Sequence, residues 1–177
     1  MSETIENIVI NGGGPAIFNI YGALKQSNLD GIWSHDSVHS YYGTSAGGIM
    51  SVIMALQYSW DEMDDFIIKR PWQNVWKINV LNTYEYYLKK GVYGIELYYD
   101  VFGPLFRGKD LELTITLKEF YEVSKKNIYL YAVKLSTFEI KKQIEELYDI
   151  DNLFFYPAVS SSHNMFLQGD KIPCTIV

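Results

Sequence analysis

The sequence predicts an α/β fold built on a mainly parallel sheet flanked by helices. Three observations carry this. Short apolar runs alternate with stretches whose apolar residues recur at helical spacing. Two of the runs lead directly into glycine-rich turns, the usual passage from a strand into a helix. Of the 177 residues, 48% are hydrophobic, enough to bury one core of ordinary domain size. No internal repeat or low-complexity linker divides the chain, so residues 1–177 read as a single domain.

Ile8-Val9-Ile10 is a short apolar run leading into glycines, which predicts a buried strand. Pro15 suits the first turn of a helix, where its missing N–H costs little. Ile17, Ile20, Tyr21 and Leu24 then repeat at helical spacing, and that helix should stop near Asn28. Val38 to Tyr42 reads as a second strand and Gly43 to Gly47 as a turn. Ile49, Val52, Ile53 and Leu56 form the apolar face of a second helix. Ser59 with Glu62 makes a capping box for a third helix running toward Ile68, with Pro71 ending it. Residues Trp72 to Gly108 are aromatic-rich and read as irregular. Thr116 with Glu119 is another capping box, opening a helix to about Lys126. Ile128 to Leu135 is a strongly apolar strand, and Ile140, Ile144 and Leu147 predict one more helix.

Composition excludes some functions. The formal net charge is −6, which argues against nucleic acid as a partner. The single cysteine, Cys174, allows no internal disulfide and points to a reducing, cytoplasmic setting. His35 and His39 have helix-like spacing but no surrounding HExxH pattern, and no metal or cofactor is expected. The start of the chain lacks a basic segment, and Ser2 stands where myristoylation requires glycine. Asn7 to Leu24 and Ser37 to Trp60 are free of charged residues. Their glycines and polar residues mark them as buried strand–turn–helix units, not membrane spans.

Two motifs carry chemistry. Gly43-Thr44-Ser45-Ala46-Gly47 matches G-x-S-x-G, the nucleophile elbow, between a predicted strand and a predicted helix. A sharp turn there lifts the serine hydroxyl clear of the backbone, and the helix N-terminus favours developing negative charge. Gly12-Gly13-Gly14-Pro15 also follows a strand and precedes a helix. Such a turn exposes consecutive N–H groups that bind a phosphate or line an oxyanion hole. A dinucleotide fingerprint fits poorly. Ile17 occupies the place of its third glycine, and Asp30, near the expected acidic position, follows no strand. Both turns would lie at carboxyl ends of strands, where α/β sheets place ligands.

These two motifs together resemble the patatin-like phospholipases: a glycine turn after the first strand, then G-T-S-A-G about thirty residues later. The likeness extends downstream, through Tyr129 to Phe138, through Pro157-Ala158-Val159-Ser160-Ser161-Ser162 with Phe166, and through Gly169-Asp170-Lys171. The middle third matches poorly. The resemblance implies a patatin-like three-layer sandwich and a Ser–Asp dyad. Ser45 would attack the carboxylic ester of a phospholipid or other glycerolipid, and Gly12, Gly13 and Gly14 would hold the oxyanion. Water would then release the acyl group, without a metal. The family's activating aspartate sits in Asp-Gly-Gly or Asp-Gly-Ala, which occurs nowhere in this sequence; by spacing it belongs at or just after Thr175-Ile176-Val177. Asp170 is the substitute base the chain offers. Asn11 and Ala16 stand where the family usually has Asp and Arg.

Two other readings remain open. An α/β-hydrolase esterase would use Ser45, Asp149 or Asp151, and His163, in that fold's chain order. Against it, only one clear strand precedes the elbow's own. A lipid-binding or regulatory module on a hydrolase scaffold would explain the absent acid motif. Trp72, Trp76, Tyr84, Tyr86, Tyr87, Tyr93, Tyr98, Tyr99, Phe102 and Phe106, interspersed with Lys77, Lys89 and Lys90, form either an aromatic core or a surface for peripheral membrane contact.

Overall fold

In a computed structural model, the structure describes residues 4–75, 80–82, 84, 95–134, 139–142 and 174–175. Strand β1 (Asn7–Ile10) leads through a 3-10 turn to helix α1 (Ile17–Leu29). Strand β2 (Ser40–Gly43) feeds α2 (Ala46–Ala55), followed by α3 (Trp60–Ile67), α4 (Ile95–Arg107) and α5 (Leu117–Ser124). Strand β3 (Asn127–Lys134) is followed by β4 (Glu139–Lys142) and β5 (Cys174–Thr175).

The sheet order is β1-β2-β3-β4, with β5 also paired to β3. β1, β2 and β3 are parallel, with Ile10 opposite Gly43 and Gly43 opposite Leu130. β4 and β5 run antiparallel to β3. Both parallel crossovers step the same way along the sheet, so right-handed connections put their helices on one face. The burial agrees. Ile8, Ile10, Tyr41, Ile128 and Leu130 join the helices in the core, while Val9 on the other face is 79% exposed. Tyr42 and Tyr129, in register with Val9, stack there with ring centroids 4.6 Å apart. A three-layer sandwich needs helices on both faces; the described residues supply one such layer.

Both predicted capping boxes are formed, by Ser59 with Glu62 and Thr116 with Glu119. Two expectations are corrected. Residues 139–142, expected to open a helix at Ile140, form strand β4, because the edge of β3 gives them a partner no local pattern reveals. Ile144 and Leu147 lie outside the described residues. The stretch Trp72 to Gly108, expected to be irregular, contains α4. Val101, Phe102, Leu105 and Phe106 form its buried face, and Gly103 and Pro104 lie inside it. Proline has no N–H to give, so the carbonyl four residues earlier loses its helical partner. That carbonyl, of Asp100, accepts a hydrogen bond from the Arg70 guanidinium at 2.5 Å. Arg70 is itself held 4.9 Å from the ring centres of both Phe66 and Trp72.

A second polar joint sits at the start of β3. Lys126 is only 7% exposed, and its ammonium donates to the carbonyls of His35 and Val38 at 2.5 and 2.6 Å. His35 lies against Trp33 and Trp60, with Nδ1 3.4 Å from the Tyr41 hydroxyl. Burial first, then the nearby Lys126 charge, pushes the His35 imidazole below its ordinary pKa, with Asp36 opposing. The unfolded chain therefore takes up this proton more readily than the folded one. Stability from this site is full above about pH 6.5 and is lost as the pH falls. In thermal melts between pH 8 and 5, wild type should lose stability more steeply than His35→Gln. Parallel curves would contradict this account of the joint.

Candidate active site

The two glycine turns meet because their strands are neighbours. β1 and β2 end level with each other, and the chain leaves both on the carboxyl side of the sheet. Crowding explains both outer glycines of the elbow motif. A Cβ on Gly47 would lie 2.2 Å from the Ile10 carbonyl oxygen and 2.5 Å from that of Asn11. A Cβ on Gly43 would lie 2.5 Å from the Gly47 oxygen. The elbow can therefore pass under the end of β1 only with hydrogens at both positions. Gly12 is packed directly against the serine. A Cβ there would be 3.0 Å from Ser45 Cβ and 3.7 Å from Ser45 Oγ.

Ser45 has φ 53° and ψ −129°, outside the regions where a serine rests comfortably. Such a residue costs on the order of 1–3 kcal/mol and persists only where its surroundings fix it. The surroundings do so here. The Thr44 carbonyl accepts from the N–H of Gly47 at 2.9 Å and of Gly48 at 3.3 Å. The buried Ser51 hydroxyl donates to the Gly47 carbonyl at 2.8 Å. Ser45 occupies the N-cap of α2, yet its side chain makes no capping bond. Ser59 and Thr116, at the same position of α3 and α5, both cap. Among the described residues no group hydrogen-bonds to Ser45 Oγ, and the side chain is half-buried. The elbow thus withholds from its helix a hydroxyl of the kind that Ser59 and Thr116 give to theirs.

The glycine turn supplies the other chemistry. Gly13 and Gly14 are exposed and Gly12 is half-buried. Gly14 has φ +52° with open space around it. The Asn11 side chain donates to the Gly12 carbonyl at 2.6 Å, closing the start of the turn on itself. Among the described residues no acceptor takes the N–H of Gly12, Gly13 or Gly14. Ser45 and the triglycine are therefore brought together. Asp170, Asp149, Asp151 and His163 lie outside the described residues, as do Trp76 and the three lysines of the aromatic stretch. Among the described residues no Asp, Glu or His hydrogen-bonds to Ser45.

One contact had no sequence signal beyond the motif itself. The Thr44 hydroxyl donates to the Tyr131 carbonyl at 3.1 Å, across to β3. Of the aromatic stretch, Phe102 and Phe106 are core residues. Trp72 packs edge-on to Phe18, in the first turn of α1. Tyr84 and Tyr99 are exposed. No helix among the described residues is long and apolar enough to cross a membrane.

No protein-family model matches the chain. An uncharacterized protein of Acanthamoeba polyphaga mimivirus, R571, is 27% identical to it over 92 residues. That match takes in 52% of this chain and 31% of the viral protein, so the chain spans about a third of that relative's length.

Proposed function

We propose that this chain carries the nucleophile and oxyanion elements of a patatin-like serine acyl hydrolase acting on carboxylic esters of glycerolipids. The observation that supports it best is the strained, uncapped Ser45 packed against Gly12. In this reading Ser45 Oγ attacks the ester carbonyl and its proton passes to a base. The carbonyl oxygen becomes an oxyanion received by N–H groups of Gly12, Gly13 and Gly14. Collapse of the tetrahedral species expels the alcohol, and water then hydrolyses the acyl-Ser45 ester. Asp170 is the base this chain offers for the role.

The surface fits contact with a lipid phase. Ile68, at the C-cap of α3, and Tyr99 of α4 are exposed, and the Arg70–Asp100 bond ties the segment after α3 to α4. Leu81 and Tyr84 are 87% and 72% exposed. Purified chain should hydrolyse p-nitrophenyl butyrate and phosphatidylcholine vesicles, and Ser45→Ala should abolish both activities. Hydrolysis that survives in Ser45→Ala would overturn the reading. A wild type that hydrolyses nothing, yet binds the vesicles as well as Ser45→Ala does, would leave the lipid-binding module in its place.

A further inference from the structure

We propose that Thr44 is a positioning residue whose hydroxyl fixes Ser45 relative to the antiparallel strands β4 and β5. The inference rests on the reading of Ser45 as the nucleophile. Its basis is the way β3 changes partners. The β2–β3 ladder runs from Ser40 opposite Asn127 to Gly43 opposite Leu130 and goes no further. At Thr44 the backbone turns away into the elbow. The next ladder position on β3 is Tyr131, and there the Thr44 side chain replaces the backbone, donating to the Tyr131 carbonyl at 3.1 Å.

Tyr131 is also where the antiparallel half of the sheet begins. It pairs with Lys142 of β4. β5 runs from Cys174, opposite Lys134, to Thr175, opposite Val133, so its chain direction leads toward Tyr131. The Thr44–Tyr131 bond therefore spans the joint between the elbow and the strands beyond it. The Thr44 backbone works on the other side of the same joint, where its carbonyl takes the Gly47 and Gly48 N–H groups. One residue thus ties the strained serine both to its helix and to β3. A hydrogen-bonded side chain at this point limits how far Ser45 can shift against any group that the antiparallel half presents.

Thr44→Val keeps the shape and removes the donor, whereas Thr44→Ser keeps the donor. Against p-nitrophenyl butyrate, Thr44→Val should lower kcat about 10- to 100-fold, the scale of a small misplacement of a reacting group. KM should stay within about twofold, and Thr44→Ser should recover most of the loss. Amide exchange at Ala46 to Gly48 should quicken several-fold in Thr44→Val alone. Unchanged kcat and unchanged exchange in Thr44→Val would overturn the proposal, as would a loss that Thr44→Ser does not restore. If wild type hydrolyses nothing, the reading of Ser45 fails by itself. The exchange at Ala46 to Gly48 then decides alone whether Thr44 holds the elbow.

Discussion

Replacing Gly47 by alanine should destabilise the chain by about 3 kcal/mol, the upper range for forcing an atom into a packed site. The added Cβ would lie 2.2 Å from the Ile10 oxygen and 2.8 Å from the Ile10 carbonyl carbon. These are main-chain atoms of a strand held in the sheet, and they cannot swing aside as a side-chain tip can. Relief requires the end of β1 to part from the elbow, which separates the glycine turn from Ser45. Gly14→Ala is the matched control. It meets nothing within 4 Å and bears only the strain of its φ of +52°, on the order of 1 kcal/mol. Urea unfolding should therefore show a large loss of midpoint for Gly47→Ala and a small one for Gly14→Ala. Equal midpoints for Gly47→Ala and wild type would mean that the two turns do not approach as described.

Much of this architecture is written locally in the sequence. Ser59 with Glu62 and Thr116 with Glu119 declare their helices, because a capping box is complete within four residues. The elbow is legible for the same reason: its glycines, its serine and the helix after it are contiguous. What escaped the sequence depends on distant partners. α4 lies in a stretch that reads as irregular and contains Gly103 and Pro104, and the carbonyl freed by Pro104 is satisfied from Arg70, 30 residues earlier in the chain. β4 is a strand because β3 lies beside it. Lys126 stands next to an exposed Lys125, and nothing local shows that its ammonium turns inward to the carbonyls of His35 and Val38.

The site shows the same division. Each turn is visible in the sequence, but the contact between Gly12 and Ser45 follows from the pairing of β1 with β2. A serine before a helix ordinarily caps it, and the backbone angles of Ser45 and its missing capping bond set it apart from Ser59. Thr44 looks like a variable letter of the motif until β3 supplies the Tyr131 carbonyl.

The central claim is that Ser45 is a nucleophile facing oxyanion donors, and covalent capture tests it most directly. A fluorophosphonate probe reacts with such a serine to give a phosphonyl ester whose oxygen occupies the oxyanion site. Removing one member of a catalytic serine constellation still leaves roughly 10³–10⁴-fold catalysis from the oxyanion hole and binding. A long time course with intact-mass detection therefore registers Ser45 whether or not Asp170 acts as its base. The account predicts one adduct per wild-type chain, on the peptide that contains Ser45, and none on folded Ser45→Ala. A folded wild type that stays unmodified, or an adduct that persists in Ser45→Ala, would contradict it.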